Sequence, residues 1–334
     1  MAVKSFRSIR LLALALIAGR VYLAAADKLR MEKAVDAMAS VYSVIVYGDD
    51  ETRMEEALDA ALVEARRLDR MLSNYRFDSE WSGVNRYAAE APVKVSSELF
   101  RLLSACLEYS SQSEGAFEIS VGPLMKTWGF YRGTGNLPST AEVKLSLEKV
   151  GYRYILLDAA NQTVRFAKKG VELDPGGIGK GYAVDRMAEI LRNKGVETAL
   201  ISGGGSSIYA MGAPPGETGW NVKFRDPRDE TKTTIEVFLK NESMSTSGSY
   251  EKFFMAGGKM YSHIMDPRTG FPAGGMIAVS VIAPRALDSE AWTKPVFIQG
   301  RKWAAQHIPK GFRAIVCEDN TSGTGSDQPC VWLQ

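Results

Sequence analysis

Hydrophobic and polar residues follow two different periods along this chain. Apolar residues at helical spacing predict five helices, over residues 51–72, 96–110, 140–149, 178–193 and 288–307. Segments in which apolar and polar residues alternate predict strands, over residues 40–47, 152–157, 163–167, 198–202, 220–225, 233–239, 277–282 and 313–317. The polar residues before position 40 are predicted to form a helical lead-in to the first strand.

Turn-forming residues separate these elements. Residues 72–86 are rich in Ser, Asn and Asp and are predicted to form a loop, and residues 245–250 are predicted to form a hydroxyl-rich turn. Residues 114–130 combine a strand-like segment with Gly-Pro and Trp-Gly breaks. Several strands stand at hairpin spacing, and neither an internal repeat nor a long linker divides the chain. The sequence therefore predicts an α+β fold, a single domain in which helices flank a largely antiparallel sheet.

The first residues have the layout of a secretory signal. Basic residues precede an apolar run over residues 11–18, and three alanines follow at 24–26. We expect residues 1–26 to be a cleaved signal peptide, followed by the functional domain over 27–334 with a polar tail over 318–334. The protein would then be periplasmic or otherwise exported, whereas an uncleaved segment would anchor it at the inner membrane.

The composition is that of an ordinary globular protein. Hydrophobic residues make up 45% and charged residues 24% of the 334 residues, which is enough for a large core. Residues 1–26 contain four basic residues and no acidic one, so the formal charge of +2 falls to −2 without them. The remaining sequence has no basic tract interleaved with aromatic residues, so we do not expect nucleic acid as a partner.

Cysteine and histidine are scarce. The chain has three cysteines and two histidines with no CxxC motif, which argues against a zinc or iron–sulfur site. Cys317 and Cys330 flank part of the polar tail and could pair in an oxidising compartment. Cys106 lies in an apolar helical pattern, which indicates a buried thiol.

Residues 173–185, with the sequence LDPGGIGKGYAVD, combine four glycines and a lysine at the start of a predicted helix. Glycines let a backbone approach a ligand closely, and the first N–H groups of a helix favour an anion such as phosphate. Lys180 adds a full positive charge. The spacing fits neither the GxGxxG fingerprint nor the P-loop, which needs Ser or Thr where Gly181 stands. Taken alone, the stretch fits a structural turn as well as a phosphate site.

Three later turns carry further candidate chemistry. Gly203, Gly204 and Gly205 follow a predicted strand and could wrap an anion with their N–H groups. Residues 245–250 supply hydroxyl groups, and residues 261–270, YSHIMDPRTG, place a histidine and an aspartate at a turn. Each feature also has a purely structural explanation, because Asp-Pro is a common turn former and a single histidine is more often structural.

Taken together, these stretches resemble the ApbE family, the FAD:protein FMN transferases. The resemblance rests on LDPGGIGKGYAVD, ISGGGSS, STSGSYEKFF and YSHIMDPRTGFPA, together with LSNYRFDSEWSGVN and GAFEISVGPLMKTWGF in the amino-terminal half. These six blocks occur in the family's order between residues 38 and 316. The family implies that FAD is split at its pyrophosphate, that FMN passes to a threonine hydroxyl of an acceptor protein, and that AMP leaves with the help of Mg²⁺.

The resemblance also implies roles for individual residues. His263 corresponds to the base that receives the threonine proton, with Asp266 as the alternative. Gly177 corresponds to a backbone oxygen donor to the metal ion. The residues implied to contact FAD are Met38, Tyr75, Ala116, Phe117, Glu118, Asp174, Gly176, Lys180, Gly203, Gly204, Gly205, Ser247, Gly248 and Ile264.

The implied metal site departs from the family pattern at residues 288–295, DSEAWTKP. The family holds Mg²⁺ with the oxygens of an Asp-Ala-x-x-Thr helix, and Mg²⁺ prefers such hard ligands. Here Glu290 falls on the aspartate and Lys294 on the threonine, with Thr293 next to it. A protonated lysine cannot bind a metal, although it could supply the positive charge itself. Alternatively, Glu290 and Lys294 could form an exposed ion pair one helical turn apart.

Three functions follow as alternatives. The first is a Mg²⁺-dependent flavin transferase, the second an FAD pyrophosphatase that releases FMN and AMP, and the third an FAD-binding protein without turnover. The transferase would act on a redox subunit that carries a threonine flavinylation motif and is exported or membrane-bound, which suggests proximity to a membrane. Residues 322–326, Ser-Gly-Thr-Gly-Ser, faintly resemble such a motif, with Thr324 as a site of self-modification.

Overall fold

A computed structural model describes residues 28–227, 229–319 and 330–333 of the chain. The segment expected to be a signal peptide, residues 1–26, lies outside the described residues. Thr324 and most of the expected polar tail also lie outside them. The interpretations of these two segments therefore stay predictions.

The described part of the chain forms eight α-helices and fifteen strands. The helices are α1 (Glu51–Leu72), α2 (Glu80–Tyr87), α3 (Ser97–Gln112), α4 (Gly122–Thr127), α5 (Thr140–Leu147), α6 (Gly179–Asn193), α7 (Ala286–Gln299) and α8 (Arg301–His307). The strands are β1 (Leu29–Ala37), β2 (Ser40–Gly48), β3 (Val93–Lys94), β4 (Ile155–Asp158), β5 (Thr163–Phe166), β6 (Thr198–Gly203), β7 (Ser207–Met211), β8 (Trp220–Asp226), β9 (Asp229–Leu239), β10 (Glu242–Gly248), β11 (Phe253–Ala256), β12 (Lys259–Ser262), β13 (Met276–Ala283), β14 (Arg313–Glu318) and β15 (Val331–Leu333).

Eight of the strands form one sheet in the order β1-β2-β6-β7-β10-β13-β14-β15. Every neighbouring pair in this sheet runs antiparallel. The other strands form three small antiparallel sheets, β3-β5-β4, β8-β9 and β11-β12. The predicted α+β fold with a largely antiparallel sheet is therefore confirmed.

Helices α1, α6 and α7 cover one face of the large sheet. Leu58 of α1 and Val44 of β2 belong to the apolar core on that side. On the opposite face, the β8–β9 hairpin packs over a second core that includes Trp220. Because alternate side chains of a strand point to opposite faces, Val281 and Ile282 of β13 lie in different cores.

Helices α6 and α7 approach each other closely at Gly181. A Cβ atom on Gly181 would overlap the carbonyl oxygen of Ala286 and lie 2.9 Å from the Cβ of Glu290. The residue that precedes each helix makes no side-chain cap. Instead, Oε2 of Glu290 accepts the N–H of Gly181 at 2.5 Å, in the first turn of α6. The carboxylate of Asp185 accepts the N–H groups of Ala286 and Leu287 at 2.7 and 2.9 Å, so each helix supplies an acid that caps the other.

Helix α7 packs against strand β10 through hydroxyl groups. The Ser243 hydroxyl lies 2.9 Å from that of Ser289, and the Ser245 hydroxyl lies 2.7 Å from the same atom. Ser247 donates to Thr293 at 2.8 Å. All five side chains are buried, and their mutual hydrogen bonds offset the cost of removing them from water.

Two segments that the sequence predicts as helix or turn form strands. The helical lead-in is wrong, because Leu29–Ala37 pairs along its whole length with β2 through a tight turn at Met38 and Ala39. The hydroxyl-rich turn is wrong over residues 245–248, which continue β10. In both cases, pairing with a neighbouring strand decides the conformation, and the local pattern does not report that partner.

Three further segments differ from the sequence prediction. The predicted loop over residues 72–86 contains the start of α2, which the side chain of Ser79 caps. The predicted helix over residues 288–307 is divided into α7 and α8 at Gly300, which has a φ of 84°. Residues 114–130 contain helix α4 and, instead of a strand, one isolated bridge. The first half of the strand predicted over residues 152–157 forms a short 3₁₀ turn, and β4 begins at Ile155. The other predicted helices and strands are confirmed with shifts at their ends, and α1 spans Glu51–Leu72 as predicted.

Cys317 and Cys330 form a disulfide that links β14 to the start of β15. Cys106 is buried in α3, as predicted, and burial raises the pKa of its thiol. Within the described ranges, we find no helix that is both long enough and apolar enough to cross a membrane.

Replacing Gly181 by alanine is expected to lower the free energy of unfolding by about 1–3 kcal/mol, because the added methyl group meets the backbone of α7. Urea denaturation followed by circular dichroism measures the change. Gly83 in α2 is the matched control, because a Cβ there has no heavy atom within 4 Å. Gly83→Ala is expected to stabilise the protein by about 0.5–1 kcal/mol. Equal effects of the two substitutions would contradict the close contact between α6 and α7.

Candidate active site at the start of helix α6

The turn that precedes α6 is anchored by α2. Leu173 donates its N–H to Oδ1 of Asn85 at 2.7 Å, and Nδ2 of Asn85 donates to the carbonyl of Leu173 at 2.9 Å. Nε1 of Trp81 also donates to that carbonyl, at 3.1 Å. The N–H of Asp174 then donates to the carbonyl of Ile119 at 2.7 Å. These bonds fix the backbone where the glycine turn begins.

Asp174 lies beside side chains from the amino-terminal half of the chain. Its Oδ1 accepts the N–H of Gly176 at 2.6 Å, and Tyr131 hydrogen-bonds its carboxylate. Tyr131 accepts a hydrogen bond from Nδ2 of Asn74 at 2.7 Å, and its ring packs edge to face on Tyr75 with centroids 5.9 Å apart. Burial raises the pKa of Asp174 against the opposing effect of its hydrogen bonds. The side chain of Tyr75 is 74% exposed, so its ring is accessible to a ligand.

Three turns meet around the first residues of α6. Lys180 donates from Nζ to the hydroxyl of Ser206, in the second glycine turn. In that turn, a Cβ on Gly204 would lie 3.9 Å from Cδ of Lys180. On the β1–β2 turn, Sδ of Met38 would lie 3.7 Å from a Cβ on Gly179. The structure therefore brings together Met38, Lys180 and the glycines at 203–205, as the family resemblance implies.

Two cavities border this region. One of about 490 Å³ lies beside the β1–β2 turn and is lined by Met38, Ser40 and Asp69 among others. The other, of about 800 Å³, is lined by Tyr131 and by residues of α4 and α5. The residues of the glycine turn line neither of these two cavities.

His263 follows β12, and a backbone carbonyl holds its ring. The main-chain N–H and the Nδ1 atom of His263 lie 2.9 and 3.0 Å from the carbonyl oxygen of Lys252. Because a carbonyl only accepts hydrogen bonds, Nδ1 is assigned the proton and Nε2 keeps its lone pair. Burial lowers the pKa of His263 to about 4, and three ammonium groups add to the shift, those of Lys252, Lys294 and Lys180. The imidazole is therefore neutral at pH 7 and accepts a proton at Nε2.

Helix α7 directs Lys294 towards the glycine turn. Its Nζ donates to the main-chain oxygen of Glu290 at 3.0 Å, and its Cε would lie 3.4 Å from a Cβ on Gly177. Burial lowers the pKa of Lys294 to about 8, which leaves most of these side chains protonated at pH 7. The charge of Lys180 adds to this shift. Two ammonium groups, one from α6 and one from α7, therefore lie close to the same turn.

The residues implied as magnesium ligands do not fit a metal ion. Lys294 presents an ammonium group where a ligand oxygen is required. The hydroxyl of Thr293 donates to the carbonyl of Glu290 and accepts from Ser247, so it is turned into the contact between α7 and β10. Glu290 is 2% exposed and its carboxylate caps α6, so the alternative of an exposed ion pair with Lys294 is wrong. Over the described ranges, no group of three or more His, Cys, Asp or Glu side chains could hold a metal ion.

Some residues implied to contact FAD lie on the later strands or in the amino-terminal half of the chain. Most of their side chains point into the protein. Cε2 of Phe117 would lie 3.8 Å from a Cβ on Gly177, which places this ring at the glycine turn. A Cβ on Gly248 would lie 2.7 Å from the ring of Tyr250, so the glycine lets this ring lie close to the backbone of β10. The buried side chains of the set are Ala116, Phe117, Ser247 and Ile264.

Two implied carboxylates are held by other protein groups. Glu118 accepts the N–H groups of Ser120 and Tyr152, at 2.8 and 2.6 Å, and so links its own segment to the one that precedes β4. Asp266 accepts the N–H of Arg268 and two bonds from its guanidinium, each at 2.9 Å. Because Asp266 is engaged in this way, His263 is the better placed of the two candidates to accept a proton. Their catalytic roles stay predictions.

Four residues of the site were not singled out in the sequence. Tyr131 and Asn74 stand next to Asp174, and Ser206 holds Lys180. Lys252 presents the carbonyl that fixes the histidine ring. Asn74, Ser206 and Lys252 fall inside blocks of the family resemblance, but their partners are distant in sequence, so no local signal gave them a role.

The chain is similar to known proteins over most of its length. The profile of the ApbE family matches residues 38–316. The FAD:protein FMN transferase of Treponema pallidum is 34% identical over 259 residues, which cover 73% of this chain and 71% of that protein. The FAD:protein FMN transferase of Salmonella typhimurium is 30% identical over 288 residues, which cover 83% of this chain and 81% of that protein.

Solved structures of similar proteins share the fold. The ApbE protein of Thermotoga maritima has a TM-score of 0.81 at 29% identity, over 87% of this chain and 95% of that chain. The apo form of the Pseudomonas stutzeri flavinyl transferase ApbE has a TM-score of 0.75 at 26% identity, over 91% of this chain and 94% of that chain.

Asn85→Ala is expected to lower the free energy of unfolding by about 1–3 kcal/mol, because the amide of Leu173 loses its buried partner. Hydrogen exchange at the Leu173 amide, followed by NMR or mass spectrometry, is expected to become faster. Asn161→Ala is the matched control, since that side chain bonds to Asp158 at 2.8 Å on an exposed turn. Unchanged exchange at Leu173 in Asn85→Ala would show that α2 does not anchor the turn.

Proposed function

Because the chain belongs to the ApbE family, we propose that it is an FAD:protein FMN transferase. The observation that carries this proposal is that Lys180 and Lys294 reach the glycine turn at the start of α6, with a neutral His263 close enough for both ammonium groups to lower its pKa. Ammonium groups suit a pyrophosphate, because they form charge-assisted hydrogen bonds with phosphate oxygens. A neutral imidazole nearby suits the removal of a proton from a hydroxyl group.

In the proposed reaction, the hydroxyl oxygen of an acceptor threonine attacks the phosphorus on the FMN side of the pyrophosphate. A new O–P bond forms, the bond between that phosphorus and the bridging oxygen breaks, and AMP leaves with the bridging oxygen. The hydroxyl proton passes to Nε2 of His263, whose Nδ1–H is held by the carbonyl of Lys252. The ammonium groups at the turn stabilise the negative charge that shifts onto the phosphate oxygens.

Magnesium is the cofactor that the family resemblance implies. The donor set at Glu290, Thr293 and Lys294 does not fit that ion, so no step of the proposed reaction is assigned to a metal. The positive charge at the glycine turn comes from side chains of the protein itself.

We also infer that the protein is exported, to the periplasm or an equivalent compartment, and acts on an exported or membrane-bound redox subunit. The signal-like layout of residues 1–26 supports export. The disulfide between Cys317 and Cys330 supports an oxidising compartment. A threonine among small residues suits the acceptor, because its hydroxyl must approach a turn that is itself made of glycines.

The products of FAD identify the function. The purified protein is incubated with FAD and an acceptor protein that carries a threonine motif, and acceptor mass and AMP are both followed. A covalent gain of FMN on the acceptor together with AMP establishes the transferase. Free FMN with AMP and no modified acceptor would indicate the pyrophosphatase, and unchanged FAD would indicate a binding protein. A mass gain on the chain itself that Thr324→Ala abolishes would indicate self-modification.

The rate of transfer is expected to fall at low pH with an apparent pKa near 4, because burial and three ammonium groups disfavour the protonated imidazole of His263. A solvated histidine would give a value of about 6.5. Since the folded pKa is depressed, the unfolded chain takes up more protons as pH falls from about 6.5 to 4, so stability also decreases across this window. Circular dichroism at each pH separates loss of rate from unfolding.

His263→Gln is expected to reduce the transfer rate by about 10²–10⁴-fold and to remove the acid limb from the pH profile. His307→Gln is the matched control, because His307 is the other histidine of the chain and lies exposed on α8. If the transfer rate of His263→Gln still falls at low pH with the same apparent pKa, His263 is excluded as the titrating base.

A further inference from the structure

We propose that the ammonium group of Lys294 takes the place of a divalent cation at the glycine turn, so that FAD binds and reacts without a metal. The proposal rests on the function proposed above and names the group that neutralises the pyrophosphate. It follows from three observations: where the Lys294 side chain lies, what the neighbouring carboxylate binds, and how the two lysines are held at the turn.

The Lys294 side chain reaches the glycine turn at Gly177. The Lys294 side chain extends from α7 until its Cε would lie 3.4 Å from a Cβ on Gly177, the residue implied to donate a backbone oxygen to the metal. Its Nζ donates to the main-chain oxygen of Glu290 at 3.0 Å. An ammonium group has three N–H donors, so that bond leaves two for phosphate oxygens.

The carboxylate next to Lys294 has a structural task. Oε2 of Glu290 is 2.5 Å from the N–H of Gly181, in the first turn of α6, and the side chain is almost fully buried. Thr293 turns its hydroxyl to the carbonyl of Glu290 and to Ser247. Oε2 of Glu290 and the Thr293 hydroxyl are therefore engaged by protein groups, and Lys294 places an ammonium group where the family pattern has a threonine.

Two ammonium groups reach the turn. Lys180 and Lys294 bring two positive charges from α6 and α7, opposite to the two negative charges of the FAD pyrophosphate, while the Glu290 carboxylate offsets part of the charge of Lys294. Both ammonium groups are fixed by a hydrogen bond to the protein, to Ser206 and to the Glu290 carbonyl respectively. Such fixed charges need little reorganisation when the leaving group gains charge.

The first measurement is the affinity of the full chain for FAD, followed by quenching of flavin fluorescence, in EDTA and in excess Mg²⁺. We expect the two dissociation constants to agree within about twofold, and AMP release with acceptor present to proceed in EDTA. FAD that binds or reacts only with Mg²⁺ would overturn the role of Lys294 while leaving the transferase intact. No FAD binding under either condition would instead overturn the proposed function.

Lys294→Met tests the side chain directly. Loss of a charge-assisted hydrogen bond worth about 1.5–3 kcal/mol corresponds to an affinity for FAD that is roughly 10- to 100-fold weaker, in EDTA and in Mg²⁺ alike. Lys302→Met is the matched control, since Lys302 lies exposed on α8, and its affinity is expected to equal that of the unmodified chain. Thermal melting without ligand checks that both variants fold, and an unchanged affinity in folded Lys294→Met would contradict the proposal.

The double substitution Glu290→Asp/Lys294→Thr restores the Asp-Ala-x-x-Thr pattern. We expect it to bind FAD weakly in EDTA and to regain at least ~10-fold in affinity with Mg²⁺, which a merely structural role of Lys294 would not produce. If the folded double variant binds FAD in EDTA as tightly as the unmodified chain does, the proposal is overturned. If this variant does not fold, the comparison of EDTA and Mg²⁺ on the unmodified chain decides the question.

Discussion

The reciprocal capping of α6 and α7 is the constraint on which the site depends. Each helix begins without a side-chain cap of its own and borrows a carboxylate from the other, Glu290 for α6 and Asp185 for α7. The exchange is possible only because Gly181 lets the two backbones meet. Two helix N-termini are thereby fixed relative to each other before any ligand is present. The lysines at the candidate site project from these same two helices, so their spacing is set by the packing of the core.

Helix α7 shows how a charged site is supported within a core. Almost all of its residues from Ala286 to Phe297 are buried, including Asp288, Glu290 and Thr293, and an unpaired polar group there would be costly. The serines of β10 supply partners for the hydroxyls, and Gly181 supplies one for the carboxylate. A polar layer of this kind holds a helix in one position, since any rotation or slide would leave several groups without partners.

Much of the fold could be predicted from the sequence, because most elements carry their own periodicity. Helix α1 is a clear example, with apolar residues at helical spacing between a capping Asp50 and Ser73. Strands β1 and β10 could not be predicted in the same way, since their conformation depends on the neighbouring strands. At the candidate site, Lys180, the glycines and His263 stand in recognisable motifs. The contact of Tyr131 with Asp174 and the second use of Glu290 as a helix cap arise only from tertiary packing.

The way in which His263 is held has a consequence for turnover. In catalytic triads a carboxylate orients the histidine and stabilises the imidazolium that forms. Here a neutral carbonyl, that of Lys252, does the orienting, and the surrounding charges are ammonium groups. In the proposed reaction the ring is therefore aligned to take a proton, and the ammonium groups that lower its pKa oppose keeping it. The same low pKa favours passing that proton on to solvent or to the departing product, which regenerates the base.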